Sequence, residues 1–453
     1  VREIGYWEKA KKATTPKINK YTYTPIDFHN DIRILKILKG NQNDPLMCML
    51  FPSAIPSSSR HSKLESYPYT ALSYFWGFDD DASHQVEMFH DTGVREGVAI
   101  VQLATSRVFH VRKNLDTALR QFRSPYSDVN VWVDALCINQ KDNIEKKTQV
   151  SRMNEIYSEA EEVVVWLGEG KTETRKTFEL LRSILNLQEL DKLIKDTNKY
   201  EQWMLIVKLM RLPWFTRRWV IQELALAKKA TVQWGPERML WKDFADAIAL
   251  FMTRHDEIKA YLEKPKTFSD KQDHDAHLGL IEPQALGANT LVDATTNLFR
   301  RSDDGKRIQD RLVDLEVLVS SMFLAFEASE PRDTIYAVLS LAKDTMPRPK
   351  SIGRPPWMED ANYSAGKFFK AVFCRVAFIY QYFKSVPVAK EISPPPDPYF
   401  VYLDDRIAPD YEKSLTDVCA DFMEYCIETS DSLDILCRHW APMPKRPTKS
   451  EKV

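Results

Sequence analysis

Between residues 69 and 240, short apolar runs rich in β-branched residues alternate with stretches of helical spacing. YTALSY (69–74), VNVWVD (129–134), VVVWL (163–167) and ATVQW (230–234) read as strands, and residues 32–38 and 46–51 as two more short ones. Residues 114–122 place Leu115, Ala118, Leu119 and Phe122 on one side of a helix. Val150, Met153, Tyr157 and Ala160 recur at helical spacing, and residues 172–212 look helical. Strands alternating with helices predict a parallel sheet with helices on both faces. Ligands of such sheets gather beyond the carboxyl ends of the strands, where this pattern puts Tyr74, Phe75, Trp76, Gly77 and Asp134.

One position breaks the pattern. The segment PWFTRRWVIQELALA (213–227) has helical spacing, and Pro213 is suited to open that helix. Trp219, Val220, Leu224, Leu226 and Ala227 share one broad apolar face, and Glu223 falls near its middle. An unpaired carboxylate among apolar groups is costly, so it is expected to be paired or to be kept for its chemistry. Arg217, Arg218 and Gln222 fall outside the stripe.

After residue 240 the character changes. Residues 240–251, 312–324, 333–342, 367–383 and 415–432 have helical spacing, separated by Pro-rich connections at 345–357 and 393–398 that read as linkers. The predicted organisation is an N-terminal extension (1–30), an α/β domain (31–240), a mainly helical region (241–443) and a mobile basic tail (444–453). No internal repeat stands out.

Composition narrows the function classes. Of the 453 residues, 44% are hydrophobic and 28% charged, as in ordinary soluble globular proteins. A formal net charge of -1 gives no reason to expect nucleic acid as a partner. Six scattered cysteines without a C-x-x-C pair point to free thiols in a reducing, cytoplasmic setting. No apolar run approaches the roughly 20 residues of a membrane span. The start lacks a signal-peptide pattern, and Val1 in place of Met points to a trimmed or processed chain. The chain lacks a P-loop, an H-E-x-x-H motif and a Gly-rich dinucleotide loop, and its nine histidines are scattered. His274 and His277 lie in a polar stretch with no clear third ligand, so no metal site is expected. Cys137 reads as strand-end packing, since no histidine lies near it in sequence.

Three segments stand out together: YTALSYFWG (69–77); VWVDALCINQ (131–140), continuing through MNEIY (153–157) to VVVWLG (163–168); and PWFTRRWVIQE (213–223). In this order they closely resemble the fungal heterokaryon incompatibility (HET) domain, over residues 69–235. PRDTIYAVL (331–339) and DYEKS (410–414) resemble segments that often follow it. The HET family is linked to regulated cell death and non-self recognition in filamentous fungi, and is distantly similar to TIR domains. The resemblance therefore implies a TIR-like, flavodoxin-like α/β fold. It equates Trp219 to Glu223 with the helix of NAD-cleaving TIR domains, in which a tryptophan precedes the catalytic glutamate by four positions. On this reading Glu223 is catalytic, with Ser73, Tyr74, Trp76, Gly77, Asp134, Asn139, Arg218 and Trp219 around a pocket for NAD or NADP as substrate, and no cofactor. The long stretch between Gly168 and Pro213, and Trp76-Gly77 in place of a basic TIR loop, depart from the TIR pattern. The implied partners are further copies of the chain, or another incompatibility or receptor protein.

Other readings stay open at these residues. Glu223 is equally readable as a structural carboxylate paired with an arginine from another element, in a non-catalytic signalling and self-association module. Taken singly, Trp76, Trp132, Trp166, Trp214 and Trp219 fit a core better than a stacking platform. Asp134 fits a helix cap, Asn139 and Gln140 fit loop shaping, and Arg217 and Arg218 fit surface contacts, although one of them has the chemistry to face a phosphate. Ser73 and Tyr74 alternate across their strand, so they are not expected to face the same side.

Overall fold

The structure, a computed structural model, describes residues 19–56, 62–77, 83–90, 107–196, 199–262, 286–296, 298–301, 308–345, 404 and 406–441. The expected helix at 367–383, the acidic turn at 79–81, the Pro-rich segment 393–398, most of that at 345–357, His274, His277 and the tail from 444 lie outside these residues.

Ten strands make one sheet: β1 (Asn19–Lys20), β2 (Asp31–Ile37), β3 (Met47–Ala54), β4 (Thr70–Tyr74), β5 (Ser83–His90), β6 (Arg107–Arg112), β7 (Val129–Trp132), β8 (Glu162–Trp166), β9 (Ala230–Trp234) and β10 (Glu237–Leu240). Their spatial order is β1-β6-β5-β3-β2-β7-β4-β8-β9-β10. The stretch β7-β4-β8-β9 is parallel throughout. In chain order these four are the second, first, third and fourth, the opening of a flavodoxin-like 2-1-3-4-5 arrangement. Their sequences show why: Val131, Trp132, Val163, Val164 and Val165 are fully buried, as in strands covered on both faces. The rest of the sheet is mixed. β2 joins β7 antiparallel and β10 joins β9 antiparallel, so the predicted parallel sheet is the middle of a wider one.

The segment before residue 31 contributes to this sheet. β1 pairs with β6. Tyr21 and Tyr23 pack edge to face at 5.4 Å, and the Tyr23 hydroxyl donates to the carbonyls of Leu136 (3.0 Å) and Ile138 (3.1 Å).

Two helices flank β4 on opposite faces. Trp166 is the register partner of Tyr74, and its indole donates to Asn114 Oδ1 at 2.9 Å, so helix Lys113–Phe122 lies on that side. Ser73, one residue out of phase, faces helix Trp219–Ala225. The helical stretch expected at 172–212 is built of three helices: Thr172–Ile184, Leu187–Lys195 and Tyr200–Met210. Residues 213–227 are likewise not one helix. Pro213–Thr216 is a single 3-10 turn, and α-helical turns begin at Trp219.

That 3-10 turn is held by aromatic packing. Phe215 stacks on Phe244 at 5.8 Å, Phe244 on Trp241 at 5.4 Å, and Trp214 meets Trp241 at 6.4 Å. Trp241 and Phe244 belong to helix Trp241–Thr253. Each aromatic buried in this way stabilises by about 1.5–3 kcal/mol, which fixes the entry to the Glu223 helix from the far side of the site. The described segments from 241 to 345 and from 406 to 441 belong to the same compact unit as the sheet.

Candidate active site

The site forms where β4, the first strand of the parallel stretch, sits between β7 and β8. This is the point at which the strand order reverses. Beyond Tyr74 the chain turns through Phe75, Trp76 and Gly77. Asn114 Nδ2 donates to the Phe75 carbonyl at 2.6 Å, and Arg112 donates to the Gly77 carbonyl at 2.8 Å. Gly77 has φ of 90°, a conformation L side chains rarely adopt, so this turn needs glycine.

Glu223 is 1% exposed. Its Oε2 accepts a hydrogen bond from the Ser73 hydroxyl, and Ser73 Oγ accepts in turn from the Trp214 indole at 2.9 Å. Among the described residues no cationic side chain lies within ion-pair distance of the Glu223 carboxylate. The nearby Arg217 donates instead to the Tyr74 carbonyl. Burial pushes the Glu223 carboxyl up to about 7, and the Asp134 charge adds to the rise; Arg217 and the Ser73 hydroxyl oppose it. A fully ionised, unpaired carboxylate at this depth would cost more than one buried aromatic supplies, and taking up a proton relieves that cost.

Asp134 is the second carboxyl group. It opens the short helix Asp134–Cys137 beyond β7. Oδ2 accepts from the Trp76 indole at 3.0 Å and Oδ1 from the Ala135 amide at 2.7 Å. Burial raises its pKa, against the pull of Arg217 and these two donors. Asp134 thereby tethers Trp76, which is 37% exposed and presents an indole ring at the strand ends. The helix cap position belongs to Val133. Tyr157, beneath the site, donates to the Leu72 carbonyl at 3.4 Å, and burial holds its hydroxyl protonated well above the usual range.

The residues named from the sequence therefore divide. Ser73 and Glu223 are in direct contact; Tyr74, Trp76, Gly77 and Asp134 line the same strand ends. Asn139 shapes its loop: its amide donates to Glu145 at 2.7 Å and its side chain accepts from the Lys141 amide at 3.3 Å. Arg218 is turned away, buried, donating to the carbonyls of Met322 (3.0 Å), Phe323 (3.2 Å) and Phe326 (2.9 Å). The arginine beside the carboxyl groups is Arg217. Extrapolating one helical phase through residues 213–227 hid this, because the α-turns start only at Trp219. The Trp219 indole is likewise engaged, donating to Asp333 at 2.8 Å. Trp214, read as core, is core that also carries a hydrogen bond into the site.

A cavity of about 300 Å³, lined by Thr70, Phe122, Val129, Glu162, Val164 and Gln233 among others, lies elsewhere. Thr70 is three positions from Ser73, so the cavity is on the opposite face of β4 from Glu223. Among the described residues no group of three or more His, Cys, Asp and Glu has the arrangement to hold a metal ion. No helix among them is long and apolar enough to cross a membrane.

Fold and site together define an α/β protein with a buried, near-neutral carboxyl group at the switch point of its parallel strands. Residues 69–223 match the sequence profile described as heterokaryon incompatibility protein (HET), so the chain carries a HET domain. It is similar to heterokaryon incompatibility protein 6, OR allele, of Neurospora crassa, with 31% identity over 212 residues. The match spans 45% of this chain and 28% of that longer protein. No solved structure gives a significant match.

Proposed function

We propose that this chain is a heterokaryon incompatibility and cell-death effector that cleaves the nicotinamide–ribose bond of NAD or NADP, with Glu223 as the catalytic carboxylate. The observation that carries the reading is Glu223 itself: buried, without an ion-pair partner among the described residues, and poised near neutral pH beside the carboxyl end of β4. Its relative's name supplies the biological setting.

The chemistry asks for such a group. As the bond breaks, both electrons leave with nicotinamide, which departs as a neutral base and needs no acid. Positive charge develops on the ribose, a carboxylate beside it stabilises that charge or holds the ribose hydroxyls, and water then adds at the anomeric carbon and releases its proton to solvent. Ser73 already gives Glu223 a hydroxyl of the kind a ribose would present. Trp76 offers a half-exposed ring for a base to stack on, and Arg217 a positive charge at the same strand ends.

The test compares purified wild type with Glu223→Gln, following nicotinamide release from NAD and thermal stability together. Loss of release in a variant as stable as wild type supports the assignment. Equal rates remove Glu223 from the role, and no release by wild type in any assembled state removes the enzyme.

A second reading has its own observation. Glu223 is 1% exposed and closed over by Ser73 and Trp214, as suits a structural group in a self-associating, non-catalytic signalling module. On that reading Glu223→Gln damages folding and there is no release to lose.

A further inference from the structure

The segments 331–339 and 410–414 meet at one buried carboxyl group. Asp333 begins the short helix Asp333–Tyr336. Its Oδ2 accepts from the Trp219 indole at 2.8 Å, and its Oδ1 accepts from the Tyr411 hydroxyl at 2.7 Å. Tyr411 is itself held, since Arg332 donates to its carbonyl and to that of Lys413, and its ring meets Tyr336 at 5.5 Å. The neighbouring Arg218 adds its three bonds to the carbonyls of 322–326, and its backbone amide donates to the Glu327 carbonyl at 3.0 Å. Arg218 and Trp219 are the two residues at which helix Trp219–Ala225 starts. Trp219 lies one helical turn before Glu223, on the same face.

A helix of seven residues has little stability of its own. Its starting angle is set by what grips its first turn, and the grip here comes from residues 322–334 and 411. We infer that Asp333 is a positioning residue for Glu223: by holding the Trp219 indole it fixes the rotation of this helix, so the 331–339 and 410–414 segments are working parts of the site. The inference rests on the reading of Glu223 as the reacting carboxylate. Asp333 touches no reacting atom, and its effect passes through Trp219.

The test uses the whole chain with Trp219→Phe, Tyr411→Phe, Asp333→Leu and Asp333→Asn. Phe keeps a ring at 219 without the donor. Leu removes both acceptors of Asp333. Asn keeps an acceptor for Trp219 and an amide for the Tyr411 oxygen, so it is the rescuing substitution. Two readouts are taken: kcat and KM for nicotinamide release from NAD, and the ionisation midpoint of Glu223 from the infrared carboxyl band that Glu223→Gln removes in each background. In Trp219→Phe and Asp333→Leu, kcat is expected to fall about 10- to 100-fold with KM little changed, as when a reacting group is misplaced by an ångström or so. The Glu223 midpoint is expected to fall from about 7 toward 4.5 as water reaches the loosened helix. Tyr411→Phe shows the same changes more weakly, and Asp333→Asn retains most of the wild-type values. If Asp333→Leu does not fold, Trp219→Phe still decides. A midpoint and kcat unchanged in Trp219→Phe overturn the inference. A midpoint that moves in a chain whose wild type releases no nicotinamide overturns the glycohydrolase reading and keeps the coupling between Asp333 and Glu223.

Discussion

Glu145 and Glu223 are both buried glutamates, and the fold treats them in opposite ways. Glu145 faces Arg33, whose guanidinium donates to both of its oxygens, at 2.5 and 3.1 Å, and the Asn139 amide donates to it at 2.7 Å. Arg33 is completed by the Thr24 and Cys137 carbonyls, and its guanidinium lies 4.8 Å from the Tyr23 ring centre. Every hydrogen bond expected of a well-compensated buried ion pair is present. It fastens helix Asn143–Ser151, and through the Asn139 amide the loop before it, to β2. Glu223, deeper still, receives one hydroxyl, while the arginine near it spends a hydrogen bond on a backbone carbonyl. The same chain that compensates Glu145 fully leaves Glu223 short of partners, so the difference reflects placement and not a general inability to supply cations. A group left in that state is free to change its protonation, and to interact with something that is not protein.

The comparison breaks most readily at the ion pair. Replacing Glu145 with Ala leaves the Arg33 charge buried and unpaired, and the expected loss is about 3–5 kcal/mol of stability. Thermal or urea denaturation measures it. If the loss is as small as that of a surface substitution, Glu145 is no better compensated than Glu223 and the contrast disappears.

The next effect has the opposite sign. The carboxyl of Glu223 lies near 7 in the folded chain, against 4.5 ordinarily. The folded state therefore binds more protons than the unfolded state between these values, and stability falls as pH rises through that window. The contribution is fully present below about 4.5 and lost above about 7, on the order of 3 kcal/mol for a rise of this size. Asp333, raised by burial from 3.8 to about 6, adds a loss of the same sign at somewhat lower pH. Glu223→Gln removes the Glu223 part, so the variant is expected to equal or exceed wild type in melting temperature above pH 7 or so, with nicotinamide release gone. A melting temperature for wild type that rises across the same window contradicts the sign. In the wild type, kcat/KM for release is expected to rise with pH and level off above about 7, as the carboxylate forms in the free enzyme.

How much of this was legible beforehand follows from the type of signal. The four parallel strands were readable because burial on both faces leaves near-continuous β-branched runs such as 163–165. Glu223 was readable because a charge interrupts a helical stripe. β5 and β6 were not, since SHQVEMFH and RVFHVR mix charge with short alternation; among their described side chains Val86, Met88, Val108 and Val111 are buried, and Phe109 packs against the core from a half-buried position. The partners of Glu223 were out of reach for another reason. Ser73 is 150 positions away, and nothing in a serine on a strand says which face meets which helix. Arg217 and Arg218 are chemically identical neighbours, and their opposite destinations were decided by the 3-10 turn at Pro213–Thr216, a local change of pitch that periodicity cannot follow. The Asp333–Trp219–Tyr411 contact needed three segments to come together. Only the resemblance flagged two of them.

The smallest expected effect sharpens the comparison at a single hydrogen bond. The Ser73 hydroxyl is the direct donor that holds down the Glu223 pKa, which burial and Asp134 raise. Ser73→Ala removes that bond, and a hydrogen bond to a charged group is worth about 1.5–3 kcal/mol, or about one to two pH units of displacement. The kcat/KM profile should therefore move to higher pH with its plateau reached later. The variant also leaves the Trp214 indole without its acceptor, a loss that does not depend on pH. The two contributions separate on a plot of melting temperature against pH. The indole produces a constant offset from wild type, whereas the missing donor makes the gap widen only above about 7, where wild-type Glu223 has finished ionising and the variant has not. Ser73→Thr keeps the hydroxyl and is expected to track wild type in pH. A gap that stays constant across the range would mean that Ser73 serves Trp214 alone, and that Glu223 owes its state to burial and Arg217.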